Sequence, residues 1–478
     1  MSTPQTNITA EGAKFIENVR YEDLSAEALR IGRRCIVDTL GLYLAGGLEP
    51  TVQILAEDAI ETGGKAEAFV IAGGNKKVPA ALAARVLGTA GHAHDWDDTQ
   101  VSHDPAHIYG LLTHPSVPPL TGALVIAQRL ENAGLGNVSG KDLMLAFQTG
   151  FEFECKISEW MLPKHYRRGN HSSGTVGTFG AAAAAAKLLG LKGEKLAHCI
   201  GMAASFAAGI RCNFGTMTKP LHVGRAAENG VTAALLAARG FTADPAALDG
   251  PWGFLQVMGE GFTPEKTKQG FGKTWTITDP GVSIKPYPSG IVTHQSMDAM
   301  LALVLKHDLK PSQVERVRFY AGKNILEPIR YPLAQNHLQA KFSMPALLAM
   351  IIIKRRASHH EFMDAFVAGP EMQNLQKRTD LINDAEIDAK GWDLIRSRIE
   401  VETKDGAKLV QWADEKYRGG PLNPISDADL EGKFRMCAEG AIDKAAQDKL
   451  LSAVAGLDKL PNANALAELM VYEAKGGH

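Results

Sequence analysis

The segment "GTVGTFGAAAAAAKLLGL", residues 174–191, has few bulky side chains along its length. Ten of its 18 residues are Gly or Ala, and a helix with so small a surface lets its neighbours approach very closely. The next segments have the same character: "KGEKLAHCIGMAASFAAGI" (192–210) and "GRAAENGVTAALLAARGF" (224–241). Together these segments predict a core of tightly packed helices.

Upstream segments also have the features of helices. "SAEALRIGRRCIVDTLGLYLAGG" (25–47) starts with a Ser suited to a helix N-cap, repeats apolar residues at a 3.6-residue period and ends with two glycines. "VPAALAARVLGTAGHAHDW" (78–96) starts near Pro79 and is apolar on both faces, which is typical of a buried helix. The polar residues His92, His94 and Asp95 lie at its C-terminal end.

The pattern changes near residue 270. "KTWTITDPGVSIKPYPSG" (273–290) reads as strand and loop, "VERVRFYAG" (314–322) alternates as a strand does, and "SRIEVETKDGAKLVQWA" (397–413) predicts a hairpin with its turn at Asp405-Gly406. The tail is helical again. We therefore expect a mainly α fold: a large all-helical domain built from both chain ends (1–272 and 415–478) and a smaller inserted α/β domain (273–414).

Composition excludes several classes of partner. A chain of 478 residues is too long for one ordinary core, which agrees with two domains. Hydrophobic residues make up 45% and charged residues 22%, and the net charge is −2 with no long basic run. A nucleic-acid groove or an anionic membrane surface needs a basic patch, so we expect neither partner. A small anionic substrate needs only a few local Lys or Arg residues.

The five cysteines are scattered and form no CxxC. This argues against a disulfide framework, a zinc knuckle or an iron–sulfur cluster. The start of the chain has no basic and apolar pattern of a signal peptide, and no run of about 18 apolar residues occurs. We expect a cytoplasmic protein.

Four stretches combine polar groups with Gly or Pro, as catalytic loops on a helical scaffold do. They are "GHAHDWDDTQVSHDPAHIYGLLTHP" (91–115), "RRGNHSSGTVGTFG" (167–180), "GTMTKPLHVGRAAENG" (215–230) and "IKPYPSGIVTHQSMDA" (284–299). Histidine transfers protons near neutral pH, lysine provides charge for a carboxylate, and Asp or Thr orients both. The alternative to a catalytic or binding role is that these lysines are solvated and these histidines are structural hydrogen-bonding groups.

The first stretch is rich in His and Asp, so a metal site has to be considered. His92 and His94 are two residues apart and do not share a helix face, and the HExxH pattern is absent. We therefore predict no metal. His92 and His94 are instead interpreted as the end of the preceding helix.

At these motifs the sequence resembles the MmgE/PrpD family, which includes 2-methylcitrate dehydratase, cis-aconitate decarboxylase and iminodisuccinate epimerase. Five motifs carry the resemblance in order along the chain: "HAHDWDDT" with a later "HPS", "GNHSSGTVGTFGAAAAAAKLLGL", "GTMTKPLHVGRAAENG", "KPYPSG" with the following "TH" and "DA", and "AKFSMPALLA". The resemblance implies that the α/β domain is a lid and that the protein is a homodimer. It also implies chemistry without a cofactor on small di- or tricarboxylates, at a site between the domains.

The resemblance also implies roles for individual residues. The expected acid and base are His114, in the HPS motif, and His171, positioned by Asp95 and Thr99 of the D-x-D-D-T motif. The lysines expected to clamp substrate carboxylates are Lys219 and Lys285. The further substrate-binding candidates are His222, Tyr287 and His294.

Two departures from the family pattern stand out. Gly290 occupies the place where the dehydratases and decarboxylases have a histidine, and His294 follows one helical turn later. The segment 100–113 is longer than in the decarboxylase; it contains His103 and His107, and we expect it to affect substrate choice.

The predicted function is a cofactor-independent lyase, a dehydratase or decarboxylase. The alternatives are an epimerase of a substituted succinate-type acid, a metal-dependent hydrolase and a non-catalytic carboxylate binder.

Overall fold

A computed structural model describes residues 7–102, 113–161, 164–262, 264–391 and 395–474. Helices dominate the chain before residue 270: α1 Ile8–Asn18, α2 Ala26–Gly47, α3 Pro50–Thr62, α4 Ala80–His92, α5 Val117–Asn132, α6 Gly140–Met161, α7 Lys164–Arg167, α8 Ser172–Thr175, α9 Gly177–Leu188, α10 Glu194–Phe206, α11 Thr218–Ala238, α12 Phe254–Gly259 and α13 Pro264–Thr267. Three short strands lie among them: β1 Ala68–Phe69, β2 Lys77–Val78 and β3 Thr99–Gln100.

The later part of the chain mixes strands and helices. The remaining strands are β4 Val282–Ser283, β5 Val314–Ala321, β6 Thr379–Asn383, β7 Ser397–Thr403 and β8 Lys408–Trp412. The remaining helices are α14 His294–His307, α15 Lys323–Leu326, α16 His337–Ala340, α17 Met344–Lys354, α18 Asp364–Val367, α19 Pro370–Lys377, α20 Ala385–Ala389, α21 Asp427–Ala438, α22 Lys444–Ala455 and α23 Asn464–Leu469.

The helical core is built around α11, which packs against α4 and α9. The helices approach closely because glycines face their neighbours. A Cβ atom built on Gly224 would lie 2.3 Å from the carbonyl oxygen of Arg85, and one on Gly230 would lie 2.6 Å from that of Thr178. The tight packing predicted from the small residues of 174–241 is therefore present.

A four-stranded sheet of order β6-β5-β7-β8 lies in the later part of the chain. β5 pairs with β6 in parallel and with β7 antiparallel, and β7 and β8 form the predicted hairpin, in which Gly406 has φ 89°. A second buried apolar cluster packs beside it, with residues of α14, α17, β5 and β7. The prediction of a mainly α fold with a smaller α/β part is confirmed.

The C-terminal helices pack against the helical core. Their residues Phe434, Leu450 and Leu466 belong to the same buried apolar cluster as residues of α2 to α11. The exact domain boundaries at 272/273 and 414/415 stay a prediction. β3 pairs antiparallel with β4, Thr99 opposite Ser283, and this pairing places the polar segment after α4 beside the strand that leads to Lys285. Among the described residues, no helix has the length and apolarity needed to span a membrane.

Candidate active site

The loop after α4 places Asp95 at the centre of the site. Asp95 has φ 52°, in the left-handed region that Asp tolerates better than most residues. Its Oδ1 accepts hydrogen bonds from Lys219 Nζ and Lys285 Nζ, each at 2.9 Å. Burial alone would raise the pKa of Asp95, but the two ammonium groups outweigh burial and hold it well below its ordinary value. Asp95 is therefore ionised.

Three buried lysines from distant parts of the chain donate to carbonyl oxygens of this loop. Each of these bonds fixes one peptide group, so the unusual backbone conformation at Asp95 is held from several sides. The pairs are Lys341 Nζ with Ala93 O at 2.9 Å, Lys285 Nζ with Asp95 O at 2.8 Å and Lys433 Nζ with Trp96 O at 2.8 Å.

Asp97 orients two histidines. His92 Nδ1 donates to Asp97 Oδ2 at 2.8 Å, and His114 Nδ1 lies 3.3 Å from the same oxygen. The two rings meet edge to face with centroids 4.6 Å apart. Burial lowers the pKa of both histidines well below the ordinary value, so both imidazoles are neutral at pH 7.

His171 and His222 form a second imidazole pair. Their Nδ1 atoms lie 3.0 Å apart, so one ring donates to the other. His171 also stacks on His92, with centroids 5.5 Å apart. Burial, followed by the charge of Lys219, lowers the pKa of His171 well below its ordinary value and that of His222 to about 4.

A cavity opens beside these groups. Its walls include the six residues predicted to carry acid, base, positioning and carboxylate-binding roles: Asp95, Thr99, His114, His171, Lys219 and Lys285. Gly290, Ile329 and Phe342 form part of the wall contributed by the α/β region. The Oγ1 of Thr99 and the Oδ2 of Asp95 are buried and have no hydrogen-bond partner within the described ranges, so both atoms remain able to bond a ligand.

The other predicted substrate-binding residues are not among the cavity-lining residues. His222 lies behind His171. Tyr287 donates through its hydroxyl to Asp298 Oδ1 at 2.6 Å, and His294 donates from Nε2 to the carbonyl oxygen of Ser289 at 3.2 Å. A direct contact of Tyr287 or His294 with substrate therefore has no support from their positions.

Sequence reasoning did not assign a site role to His92, Ser173 or Lys341. His92 ends α4 as predicted, but its ring also contacts those of His114 and His171. Ser173 Oγ accepts from the backbone N–H of His114 at 2.9 Å. Lys341 lies in the motif "AKFSMPALLA", which was a signal for the family but not for a function. His103 and His107 lie outside the described residues.

His92, Asp95, Asp97 and His114 have potential metal-ligand atoms within 4.8 Å of one another. A divalent cation bound there would have to displace or tolerate two ammonium groups 2.9 Å from Asp95 Oδ1. A cation bound to the same oxygen would lie close to both ammonium groups, and like charges repel strongly in a buried site. The arrangement suits an anionic ligand better than a cation.

Comparisons with known proteins agree on a family. The model of the MmgE/PrpD N-terminal domain matches residues 11–267, and the model of the MmgE/PrpD C-terminal domain matches residues 287–459. The cis-aconitate decarboxylase of Homo sapiens is 27% identical over 473 residues, 97% of this chain and 94% of its own length. The cis-aconitate decarboxylase of Aspergillus terreus is 24% identical over 491 residues, 98% of this chain and 97% of its own length.

Proposed function

The chain belongs to the MmgE/PrpD family, and we propose that it is a lyase that decarboxylates or dehydrates a small di- or tricarboxylate without a cofactor. The observation that carries the proposal is the sharing of one Asp95 oxygen by Lys219 and Lys285 on the wall of a cavity that also contains His114 and His171. The names of the full-length relatives support a carboxylate as the substrate.

The charge of the site favours an anion. Lys219 and Lys285 share the single negative charge of Asp95, so this group of three has an excess of one positive charge. A substrate carboxylate that replaces part of the Asp95 contact gains charge-assisted hydrogen bonds in a buried site, where they are strong. The lysines then hold negative charge that develops beside that carboxylate during the reaction.

His114 and His171 supply the proton transfers in this proposal. Both are neutral at pH 7 in the free protein because burial lowers their pKa, so either can accept a proton. A bound dianion or trianion raises the pKa of a neighbouring imidazole, so the other histidine can hold the proton that is donated.

The two lyase reactions use these groups differently. In dehydration, a neutral histidine takes the proton next to a carboxylate, and a protonated histidine gives its proton to the departing hydroxyl, which leaves as water. In decarboxylation, the bond to one carboxylate breaks and carbon dioxide leaves. The electron pair stays on the substrate, and a protonated histidine then protonates that carbon.

Incubation with a panel of tricarboxylic and hydroxy- or amino-dicarboxylic acids in deuterated water, followed by NMR, tests the proposal. New olefinic signals from a hydroxy acid indicate dehydration, and loss of carbon dioxide with deuterium at one carbon indicates decarboxylation. His307→Gln is a matched control, because His307 is exposed at the end of α14. No turnover of any acid, or full turnover by both His171→Ala and Lys219→Ala, contradicts the assignment.

A second candidate function is epimerisation of a substituted succinate-type acid. Gly290 lines the cavity, and the family resemblance puts it at about the sequence position where the dehydratases and decarboxylases have a histidine; His294 is not among the residues that line the cavity. An epimerase needs a base and an acid on opposite faces of one carbon, which His114 and His171 could supply. Deuterium exchange at one carbon without loss of water or carbon dioxide identifies this reaction. Gly290→His should then not introduce lyase activity.

We also propose that residues 273–414 act as a lid, because Gly290, Ile329 and Phe342 from this part of the chain line the same cavity as the residues of the helical core. Homodimer formation, which the family resemblance implies, stays a prediction. Analytical ultracentrifugation of the purified protein tests it.

A further inference from the structure

His222 lies beside the cavity but is not among the described residues that line it. It is near the start of α11, one turn after Lys219, and is only 9% exposed. A Cβ atom built on Gly174 would lie 3.0 Å from His222 Cβ, and one built on Gly209 would lie 3.3 Å from His222 Cγ. The imidazole ring therefore fits into space that two glycines leave open for it.

The ring of His171 is fixed on several sides. Its backbone N–H donates to the carbonyl oxygen of Gly209 at 3.0 Å. The ring stacks on that of His92 and meets that of Phe214 edge to face, with centroids 5.5 and 5.0 Å away. Its Nδ1 bonds His222 Nδ1 at 3.0 Å. Because Nδ1 is occupied and His171 lines the cavity, Nε2 is the nitrogen that remains for a substrate.

The contact between the two Nδ1 atoms requires opposite tautomers. Both rings are neutral at pH 7 because burial lowers their pKa, and a neutral imidazole carries one ring proton. One ring therefore carries its proton on Nδ1 and donates, and the other carries its proton on Nε2 and accepts. If His171 is the donor, its Nε2 has a free lone pair. If His222 is the donor, Nε2 of His171 carries a proton.

The charge of Lys219 favours His171 as the donor. The Lys219 ammonium lies 5.5 Å from the centre of the Phe214 ring, which contacts His171. An ammonium group attracts a nitrogen lone pair and repels an N–H group. Lys219 and His171 line the same cavity, so a lone pair on Nε2 is favoured there. The other titratable groups near this ring, His92 and His114, are neutral and do not oppose the preference.

We propose that His222 is a positioning residue for His171: its Nδ1 accepts the Nδ1–H of His171 and keeps the Nε2 lone pair of His171 toward the substrate. The inference rests on the proposed function, because it assumes that His171 exchanges a proton with the substrate. When Nε2 takes a proton from the substrate, the ring becomes an imidazolium, and its Nδ1–H bond to His222 becomes charge-assisted and stronger. His222 therefore stabilises the protonated state of His171 without contact with the substrate.

The tautomers can be measured without any turnover. Protein labelled with nitrogen-15 in the histidine rings is studied at pH 7 by long-range proton–nitrogen correlation NMR, which distinguishes a ring nitrogen that carries a proton from one that does not. The signals are assigned by their loss in His171→Gln and His222→Asn. In the wild type, His171 should carry its proton on Nδ1 and His222 on Nε2. The reverse pair of tautomers overturns the inference.

Three variants separate positioning from packing. His222→Leu removes the acceptor, and His222→Asn keeps an acceptor oxygen on Cγ, where the histidine has Nδ1. His198→Leu is the matched control, because His198 is a half-buried histidine on α10 whose Nδ1 lies 2.8 Å from the carbonyl oxygen of Ala243. In His222→Leu, His171 should no longer be held in one tautomer. His222→Asn and His198→Leu should leave its tautomer unchanged.

Kinetics on an acid that the wild type converts give the second readout. His222→Leu should lower kcat by about 10- to 100-fold, the range for loss of one hydrogen bond to a charged group. KM should change less than about 3-fold, because an interaction that strengthens only as the proton moves contributes little to substrate binding. His222→Asn should recover most of kcat, and His198→Leu should retain it. If His222→Leu does not fold, His222→Met takes its place.

The two readouts separate the failures. If the wild type converts no acid but His171 has the expected tautomer, the proposed function is wrong, whereas the hydrogen bond and the tautomer that it fixes stand. If the wild type converts an acid and His222→Leu keeps full kcat or the wild-type tautomer of His171, the positioning role is wrong. Equal loss of kcat in His222→Leu and His222→Asn also overturns it, because His222 then acts by packing.

Discussion

The helical core and the Asp95 loop are neighbours built on opposite physical rules. Where α11 meets α4 and α9, Gly224 and Gly230 bring backbones into contact, and no charge is required. At the end of α4, by contrast, ionised and titratable groups are buried together around Asp95. The core gains stability from close packing, whereas the loop buries charge, which costs stability unless every partner is present.

This difference indicates that stability and activity depend on separate residues of the same helices. α4 contributes Gly88 to the close contact with Gly224 and presents His92 to the site at its end. The packed core therefore supplies the rigid support that a site of buried charges needs. Substitutions in the two regions should have different signatures, and that expectation can be tested.

The largest effect should come from the histidines of the cavity. His171→Gln should lower kcat/KM for the true substrate by about 100- to 10,000-fold, the range for loss of a general acid or base. The thermal midpoint should change little, because the substitution leaves the helical core intact. Steady-state kinetics and differential scanning calorimetry on the same preparation measure both quantities. A fall in the midpoint that accounts for the lost activity would contradict the separation of the two regions.

The second-largest effect should come from a substitution in the helical core. Gly230→Val should destabilise the protein by about 2 to 3 kcal/mol, the cost of overpacking, because even a Cβ would lie 2.6 Å from Ala182 N. The remaining folded protein should keep normal kcat/KM. Chemical denaturation monitored by circular dichroism measures the loss. Gly432→Ala in α21 is the matched control: its Cβ meets no atom within 4 Å, so the better helix former should stabilise by about 0.5 to 1 kcal/mol.

Much of this comparison could be predicted from the sequence. The small residues of 174–241 indicate close helix packing because side-chain volume limits how near two backbones can come. The change to β-branched and alternating residues after 270 indicates the sheet. The set of site residues that line the cavity could be predicted only through the family resemblance, because composition and spacing do not show which loops converge.

The rest depends on tertiary contacts that no local pattern encodes. Lys341 donates to Ala93, 248 positions away in the chain, and His92 at the end of α4 stacks on His171, the residue before α8. Tyr287 and His294 share a motif with Lys285 but are not among the cavity-lining residues, because spacing along a loop does not determine where each side chain points. Buried polar groups in particular are specified by their partners, and those partners come from all parts of the chain.

A smaller effect should appear at Asp98, at the border between the two regions. Burial raises the pKa of Asp98 to about 7 from its ordinary 3.8, although Ser116 Oγ donates to its carboxylate at 2.5 Å. The folded state therefore holds the proton more strongly than the unfolded state, so Asp98 lowers stability as pH rises from about 4 to about 7. The free energy of unfolding of Asp98→Asn, taken relative to that of the wild type, should increase by on the order of 1 kcal/mol from pH 5 to pH 8. Denaturation at the two pH values measures it; a gain that is the same at both would contradict the raised pKa.

The smallest effect should come from His337, whose charge is paired outside both regions. His337 Nδ1 lies 2.6 Å from Asp364 Oδ1, and its Nε2 lies 3.6 Å from Glu49 Oε2. Burial opposes protonation, but the two carboxylates outweigh it and raise the pKa of His337 above the ordinary 6.5. The stabilisation is therefore fully present below pH 6.5 and is lost as pH rises through the folded-state pKa.

Because the side chains of His337, Glu49 and Asp364 are 20%, 23% and 66% exposed, His337→Gln should lower the free energy of unfolding by only about 0.5 kcal/mol at pH 6 and by less at pH 9. Denaturation of wild type and variant at both pH values, repeated at high salt, measures the difference. A loss that persists at pH 9 and at high salt would show that His337 acts by packing rather than by charge.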